Sequence, residues 1–328
     1  MPDPRVALRT VAALAPVLAA CASRTAASAA GNGADTSAGV QPSGARLVGG
    51  IVALHGPESV RYDPDQDVLF ISNMYGYGSA KDDNGYIVRA SAADPSNAEI
   101  FAEGGRNGVT LNAPKGMAIH GDTLWVADID VLRGFNSHSG VPVATIDFGP
   151  QHAALLNDVA VGPNGELRVT DSGIIMSDKG VLHPGGDRIF VVGPGHSISV
   201  AADGPQLGRP NGITWDAHAN RWLVVSFDPF VSQLYAMREN DTSRVVLATG
   251  KGKFDGVEVL GDGTVLFSCW NDSSIHRLTG TGDRQIIRNL PQPADIGVDT
   301  RRHRVAVPVS ALDRVELWTI PAVELARR

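Results

Sequence analysis

A six-residue phrase, proline-x-glycine-apolar-x-apolar, returns six times along the chain and limits what it can fold into more than any other feature. Its clearest copy is Pro210-Asn211-Gly212-Ile213-Thr214-Trp215; the others, in register, begin at Pro57, Pro114, Leu156, Phe254 and Pro293. The second residues, Glu58, Lys115, Asn157, Asn211, Asp255 and Ala294, form a column separated by 57, 42, 54, 44 and 39 positions. Repeats of about 40 to 50 residues are single supersecondary units that bury their faces only by stacking on neighbours.

Each copy opens an apolar alternation, passes a turn such as Gly162-Pro163-Asn164-Gly165, and enters a second alternating run. Those second runs are Val68 to Ser72, Thr123 to Ala127, Glu166 to Thr170, Trp222 to Ser226, Thr264 to Cys269 and Arg304 to Val309. Period-two apolarity with turn signals at this frequency predicts an all-β chain. Six such units packed radially make a six-bladed β-propeller. The sixth unit is short of a strand, and the spare apolar run Leu47 to Leu54 predicts that an N-terminal strand closes the last blade. Two insertions, Asn73 to Tyr86 and Asp171 to Asp187, each follow a second strand and are expected at the same end of the ring as the column.

The segment before the repeats has a different chemistry. Residues 1–21 carry Arg5 and Arg9 ahead of a short apolar run ending Leu18-Ala19-Ala20-Cys21. This reads as a secretory signal, too short for a stable membrane span. Leu-Ala-Ala-Cys resembles a bacterial lipobox, which predicts cleavage before Cys21, acylation of its thiol and an exported, lipid-anchored protein of the cell envelope; a plain cleaved signal is the alternative. Residues 22–45 are Ala, Ser, Gly and Thr with few bulky apolar side chains, a composition suited to a flexible tether. The propeller is assigned to residues 46–328.

Net charge is −7 and no dense Lys/Arg tract occurs, which argues against a nucleic-acid partner. Two cysteines, Cys21 and Cys269, exclude a disulfide framework. No Gly-x-Ser-x-Gly elbow, phosphate loop or His-Glu-x-x-His pair is present. The histidines fall at no common repeat phase and read mostly as turn or surface residues; His183, inside the second insertion, is the one placed to meet a substrate.

The first strand of each propeller blade lines the central channel, so the column brings distant residues together. Taken singly, Asn-Gly and Asp-Gly are ordinary turn dipeptides. At one phase of six repeats, Glu58, Asn157, Asn211 and Asp255 supply four hard oxygen donors, two of them formally charged. Neighbouring carboxylates repel unless a proton or cation lies between them. Oxygen-only donors suit Ca²⁺ or another hard divalent cation, whereas zinc or copper would recruit His or Cys.

The fragments PESVRYDP, LNDVAVGPNG, RPNGITWD and FDGVEVLGDG resemble the SMP-30/gluconolactonase group of six-bladed propellers over about residues 46–325. The resemblance implies that Glu58, Asn211 and Asp255 bind a divalent cation, usually Ca²⁺. It implies that Asn157 contacts substrate or metal-bound water, and that Asp255 is the acid/base of lactone hydrolysis on a small-molecule substrate. Two positions depart from the group. Lys115 puts a cation in the column, either to steady a substrate or oxyanion or to pair with a carboxylate, and Ala294 donates nothing. The alternative to a lactone or ester hydrolase is a non-catalytic envelope propeller that binds a ligand or protein and uses calcium only as a brace.

Overall fold

The computed structural model describes residues 41, 43–239 and 241–321. The signal segment with Cys21, and the tether up to residue 40, lie outside the described residues. Six four-stranded antiparallel sheets follow one another as blades. Blade 1 runs Pro57–Asp63, Val68–Asn73, Tyr86–Ser91 and Ala98–Glu103, and blades 2 to 5 repeat that order. Blade 6 takes Gly297–Asp299, Arg304–Val309 and Arg314–Thr319 from the C-terminal side and Arg46–Ile51 from the N-terminal side. Arg46–Ile51 pairs antiparallel with Arg314–Thr319, so the ring closes as the spare apolar run predicts.

The core is divided among the blade interfaces. Phe70, Ile87 and Leu111 meet Met117, Leu124 and Phe135 between blades 1 and 2. Equivalent clusters fill each following gap, the last joining Val60, Leu69 and Ile71 of blade 1 to Ala306, Val315 and Leu317 of blade 6. Each blade thus buries both faces, which is why the strands read as apolar on both phases near their centres.

The repeated phrase has a local reason. In blades 1 to 5 the pairing of the first strand with the second slips at the column residue and its successor: Pro57 pairs with Asn73, but the next paired residue is Val60. The same slip separates Pro114 from Met117, Leu156 from Val159, Pro210 from Ile213 and Phe254 from Val257. A bulge of this kind re-aims side chains and frees backbone groups. The freed groups bond across to the next blade, as where Asp295 donates its N–H to the Glu58 carbonyl at 2.8 Å and Val60 donates to the Asp295 carbonyl at 3.2 Å. The glycine that follows the column residue permits that approach: a Cβ on Gly212 would lie 2.4 Å from the Asp255 carbonyl oxygen, and one on Gly256 would lie 2.6 Å from Asp295 Cα.

Composition places residues 41–45 in the tether, but their backbone partners place them on blade 5. Gln41 accepts the Arg288 N–H at 2.8 Å, and Ser43 donates to the Ile286 carbonyl at 2.5 Å. Ala45 is buried in the cluster between blades 5 and 6. The packed domain therefore reaches back to Gln41.

Candidate metal centre and its mouth

The column residues are all buried where the inner strands begin: Glu58 and Asn157 are 5% exposed, Asn211 and Asp255 2%, Lys115 and Ala294 1%. Four of them share an unusual condition. Glu58 Oε2, Asn157 Oδ1, Asn211 Oδ1 and Asp255 Oδ1 are buried oxygens with no hydrogen-bond partner. A buried polar atom left unpaired costs about 1 to 3 kcal/mol, and more when charged. Four at one repeat phase therefore call for a group that accepts lone pairs. Asp295 Oδ1, one residue past the column, is in the same state.

Electrostatics agree with that reading. The carboxyl of Glu58 is pushed well up by burial and then by the charges of Asp255 and Asp295, with Lys115 acting in the opposite direction. Asp255 is raised by burial and by Asp295, partly offset by the Trp270 indole, whose buried N–H faces Asp255 without completing a hydrogen bond. Buried carboxylates set this close to other carboxylates want a counter-charge. Lys115 supplies part of it. Its ammonium donates to the carbonyls of Gly78 and Ala113, each at 2.8 Å, and burial lowers its pKa to about 8 against the pull of Glu58 and Asp128. Of the two roles open to Lys115, the observed contacts are with backbone rather than with a carboxylate.

The floor of the site lies one layer further along the inner strands. Arg61, from blade 1, pairs with Glu258 of blade 5, lies 3.6 Å from Asp295 Oδ2 and donates to the Met117 carbonyl at 2.7 Å. Ser59 donates to the same Asp295 carboxylate at 2.6 Å. Burial raises Asp295 to about 6 against the pull of Arg61. This plug closes the channel below the column, and a separate cavity of about 270 Å³ lined by Arg61, Ala118, Ala160 and Thr214 opens beneath it. Arg61 and Glu258 occupy the second variable position of the repeated phrase. Their opposite charges at one phase of two copies are the signal that could have marked them.

The mouth is built by the insertions. Ser79 donates its N–H to the Met176 carbonyl at 3.2 Å, and the Met176 N–H returns to Ser79 Oγ at 2.9 Å. Both insertions thus lie at the column end, where sequence reasoning places them, and Gly78 reaches down to Lys115. Asp128 and Asp171 cap the segments that lead into the column: Asp128 accepts from the N–H groups of Asn112 and Ala113, and Asp171 from those of Ala154, Leu155 and Gly173. His183 has its Nε2 2.5 Å from Asp187, whose other carboxylate oxygen accepts the Arg209 N–H at 2.7 Å, two residues before Asn211 of the column.

Two further features lie away from the column. The cavity of about 410 Å³ between blades 3 and 4 is lined by Arg168, Trp222 and Glu239, and holds none of the column residues. Donor chemistry rather than volume therefore identifies the candidate site. In blade 5, Cys269, Asp272 and His276 offer ligand atoms within 4.8 Å of one another. His276 is buried, not at the surface as the sequence suggests, with Nδ1 2.9 Å from Asp283 and Nε2 2.9 Å from Asp272. Burial works against its charge, yet the two carboxylates hold its pKa at about 11. An imidazolium so held has no lone pair for a metal. Cys269 is fully buried, its sulfur directed at the Gly252 carbonyl.

Residues 56–296 match the family described as SMP-30/gluconolactonase/LRE-like region. Among solved structures, the chain is similar to a gluconolactonase from Xanthomonas campestris at 14% identity and a TM-score of 0.63, covering 88% of this chain and 93% of that one. It is similar to a luciferin-regenerating enzyme at 11% identity and a TM-score of 0.62, covering 85% and 95% respectively. A virginiamycin B lyase from Staphylococcus aureus is also similar, at 12% identity and a TM-score of 0.57, covering 84% and 100%. At these identities the likeness is one of fold. A search of curated proteins finds no match.

Proposed function

The chain belongs to the SMP-30/gluconolactonase/LRE-like family, and from that premise we propose that it is a hydrolase of lactones or related esters that depends on a hard divalent cation, Ca²⁺ by donor chemistry. Glu58, Asn157, Asn211 and Asp255 would hold the ion. The observation that carries this reading is the set of four buried, unpartnered oxygens, one on each of these residues. A cation bound there supplies charge balance for two carboxylates and Lewis-acid polarisation of a carbonyl oxygen.

The chain's own residues supply the rest. Asp255, one of whose carboxylate oxygens would hold the ion, takes with the other a proton from the attacking water as the new C–O bond forms. The ring C–O bond of the lactone then breaks, and the same proton passes to the departing alkoxide. Lys115 has two of its three N–H bonds fixed to Gly78 and Ala113, leaving the third for substrate. Asn157 orients the carbonyl beside it. The Arg61–Glu258 plug limits entry to the end bearing the insertions.

One observation favours a second reading, a ligand- or protein-binding propeller braced by calcium: Lys115 is buried among the donors and its ammonium is committed to backbone carbonyls. A panel of lactones and aryl esters, assayed with and without chelator beside elemental analysis of the purified protein, separates the two. Chelator-sensitive turnover with about one equivalent of divalent metal supports the hydrolase; bound metal with no turnover supports the brace. Export and acylation at Cys21 belong to the same proposal, and the mass of the membrane-extracted N-terminal peptide tests them.

A further inference from the structure

Among the described residues, six of the seven buried apolar clusters lie between blades; the seventh lies over the column. It joins Ala113, Ile129, Leu155, Ile174 and Phe227, with Met74, Met176 and Trp270 half-buried against them. Five blades contribute, so it is not the interface of any pair.

This cluster touches the column on two sides. A Cβ on Gly78 would sit 3.0 Å from Met176 Sδ and 3.6 Å from Lys115 Cε, so Met176 and the lysine both pack close to Gly78. On the other side the Trp270 indole faces Asp255 and packs edge-on against Phe227 at 5.2 Å between ring centroids. Outside this wall stand exposed apolar side chains on the same loops: Tyr77 and Ile175 on the insertions, Leu182 on the hairpin and Phe230 after the second strand of blade 4.

Several polar groups at this end are already committed. Asn73 donates to the Ile71 carbonyl, and Asn271 donates to the carbonyls of Pro229 and Lys251. Ser172 donates to Pro210, and Asp128 and Asp171 are occupied by backbone N–H groups. Lys253 directs its ammonium over the rings of Phe227 and Trp270, at 5.9 and 5.8 Å. A polyhydroxylated lactone entering here would shed the hydration of more hydroxyls than the open N–H groups of Lys115 and Trp270 can replace.

We propose that the site takes lactones or esters whose body beyond the carbonyl is an apolar alkyl or aryl group, held by Met74, Met176, Phe227 and Trp270, rather than sugar lactones. The proposal rests on the hydrolase reading for its chemistry but on the mouth alone for its specificity.

The test compares γ-lactones carrying alkyl tails of increasing length with glucono-1,5-lactone, using the calcium-loaded protein. Each added methylene is expected to raise kcat/KM about fourfold until the wall is covered. Met74→Gln and Met176→Gln, whose folding is checked by thermal denaturation, are expected to flatten that dependence. In parallel, binding of non-hydrolysable 5-alkyl-pyrrolidinones is followed by calorimetry. Rates that ignore tail length, or that favour gluconolactone, overturn the proposal and leave the hydrolase reading standing. If nothing is hydrolysed but lactam affinity climbs with tail length, the wall is upheld and the hydrolase reading falls. If lactam affinity is also indifferent to tail length, both fall.

Discussion

At the scale of single residues, the column and the buried histidine respond to charge in opposite ways. Glu58 and Asp255 are carboxylates whose folded-state pKa is raised, so without a cation each destabilises the fold at neutral pH. Glu58→Gln is therefore expected to raise stability in chelator by about 1 to 3 kcal/mol while abolishing the gain that calcium gives the native protein. Urea denaturation with and without calcium checks both halves. Asp255→Ala is expected to lose metal retention and turnover together, read by elemental analysis and the lactone assay. His276 has a raised folded-state pKa of about 11, against about 6.5 for a free imidazole. Its charge contributes in full below pH 6.5, contributes less as pH rises, and nothing above about 11. The expected outcome is an imidazolium still protonated at pH 9 by ¹⁵N NMR, and a denaturation midpoint whose advantage over His276→Gln shrinks from pH 6 to pH 10.

At the scale of the element, the repeated phrase is a bulge with a glycine behind it. The variable residue is re-aimed by the slip in pairing, and the glycine lets the next blade come within backbone contact. Gly212→Ala would place a methyl 2.4 Å from the Asp255 carbonyl oxygen and 3.0 Å from Gly256 Cα. It is expected to cost about 1 to 3 kcal/mol by overpacking and to weaken calcium binding by moving Asp255. Gly261→Ala, with nothing within 4 Å of its Cβ, is the control, expected to stay within about 0.5 kcal/mol of the native protein. Chemical denaturation and calcium titration of the two variants measure both effects. The bulge also explains what was legible in the sequence. Blade position fixes the phase of every copy, so the donor column could be read from spacing. Arg61 and Glu258 were harder to see, because they pair across the ring from copies four blades apart in sequence. His276 sits on a third strand, where no repeated phrase marks the phase. The Ser79–Met176 clasp joins two loops that share no periodicity.

At the scale of the whole molecule, the ring has one seam, where the first and last described strands, Arg46–Ile51 and Arg314–Thr319, pair. Arg46–Ile51 gives the last blade its outer strand, while Gln41, Ser43 and Ala45 hold the neighbouring blade through a backbone N–H, a backbone carbonyl and a buried methyl. The apolar run Leu47 to Leu54 announced the strand. Residues 41–45 gave no such signal, because their docking uses amide and hydroxyl groups that composition reads as tether. Removing residues 1–40 leaves every described contact of the seam in place and is expected to leave the denaturation midpoint unchanged. Removing residues 1–52 deletes the strand, the burial of Ile51 and the partial burial of Leu47, a loss of at least about 1.5 to 3 kcal/mol from Ile51 alone. It also bares the edge of Arg314–Thr319, whose unpaired backbone groups are a template for another chain. The longer truncation is thus expected to show a lower, concentration-dependent midpoint together with self-association on size-exclusion chromatography. Calcium should recover part of that stability, because the donors proposed for it, Glu58 and Asp255, come from blades on either side of the seam, and an ion bound to both would oppose opening of the ring.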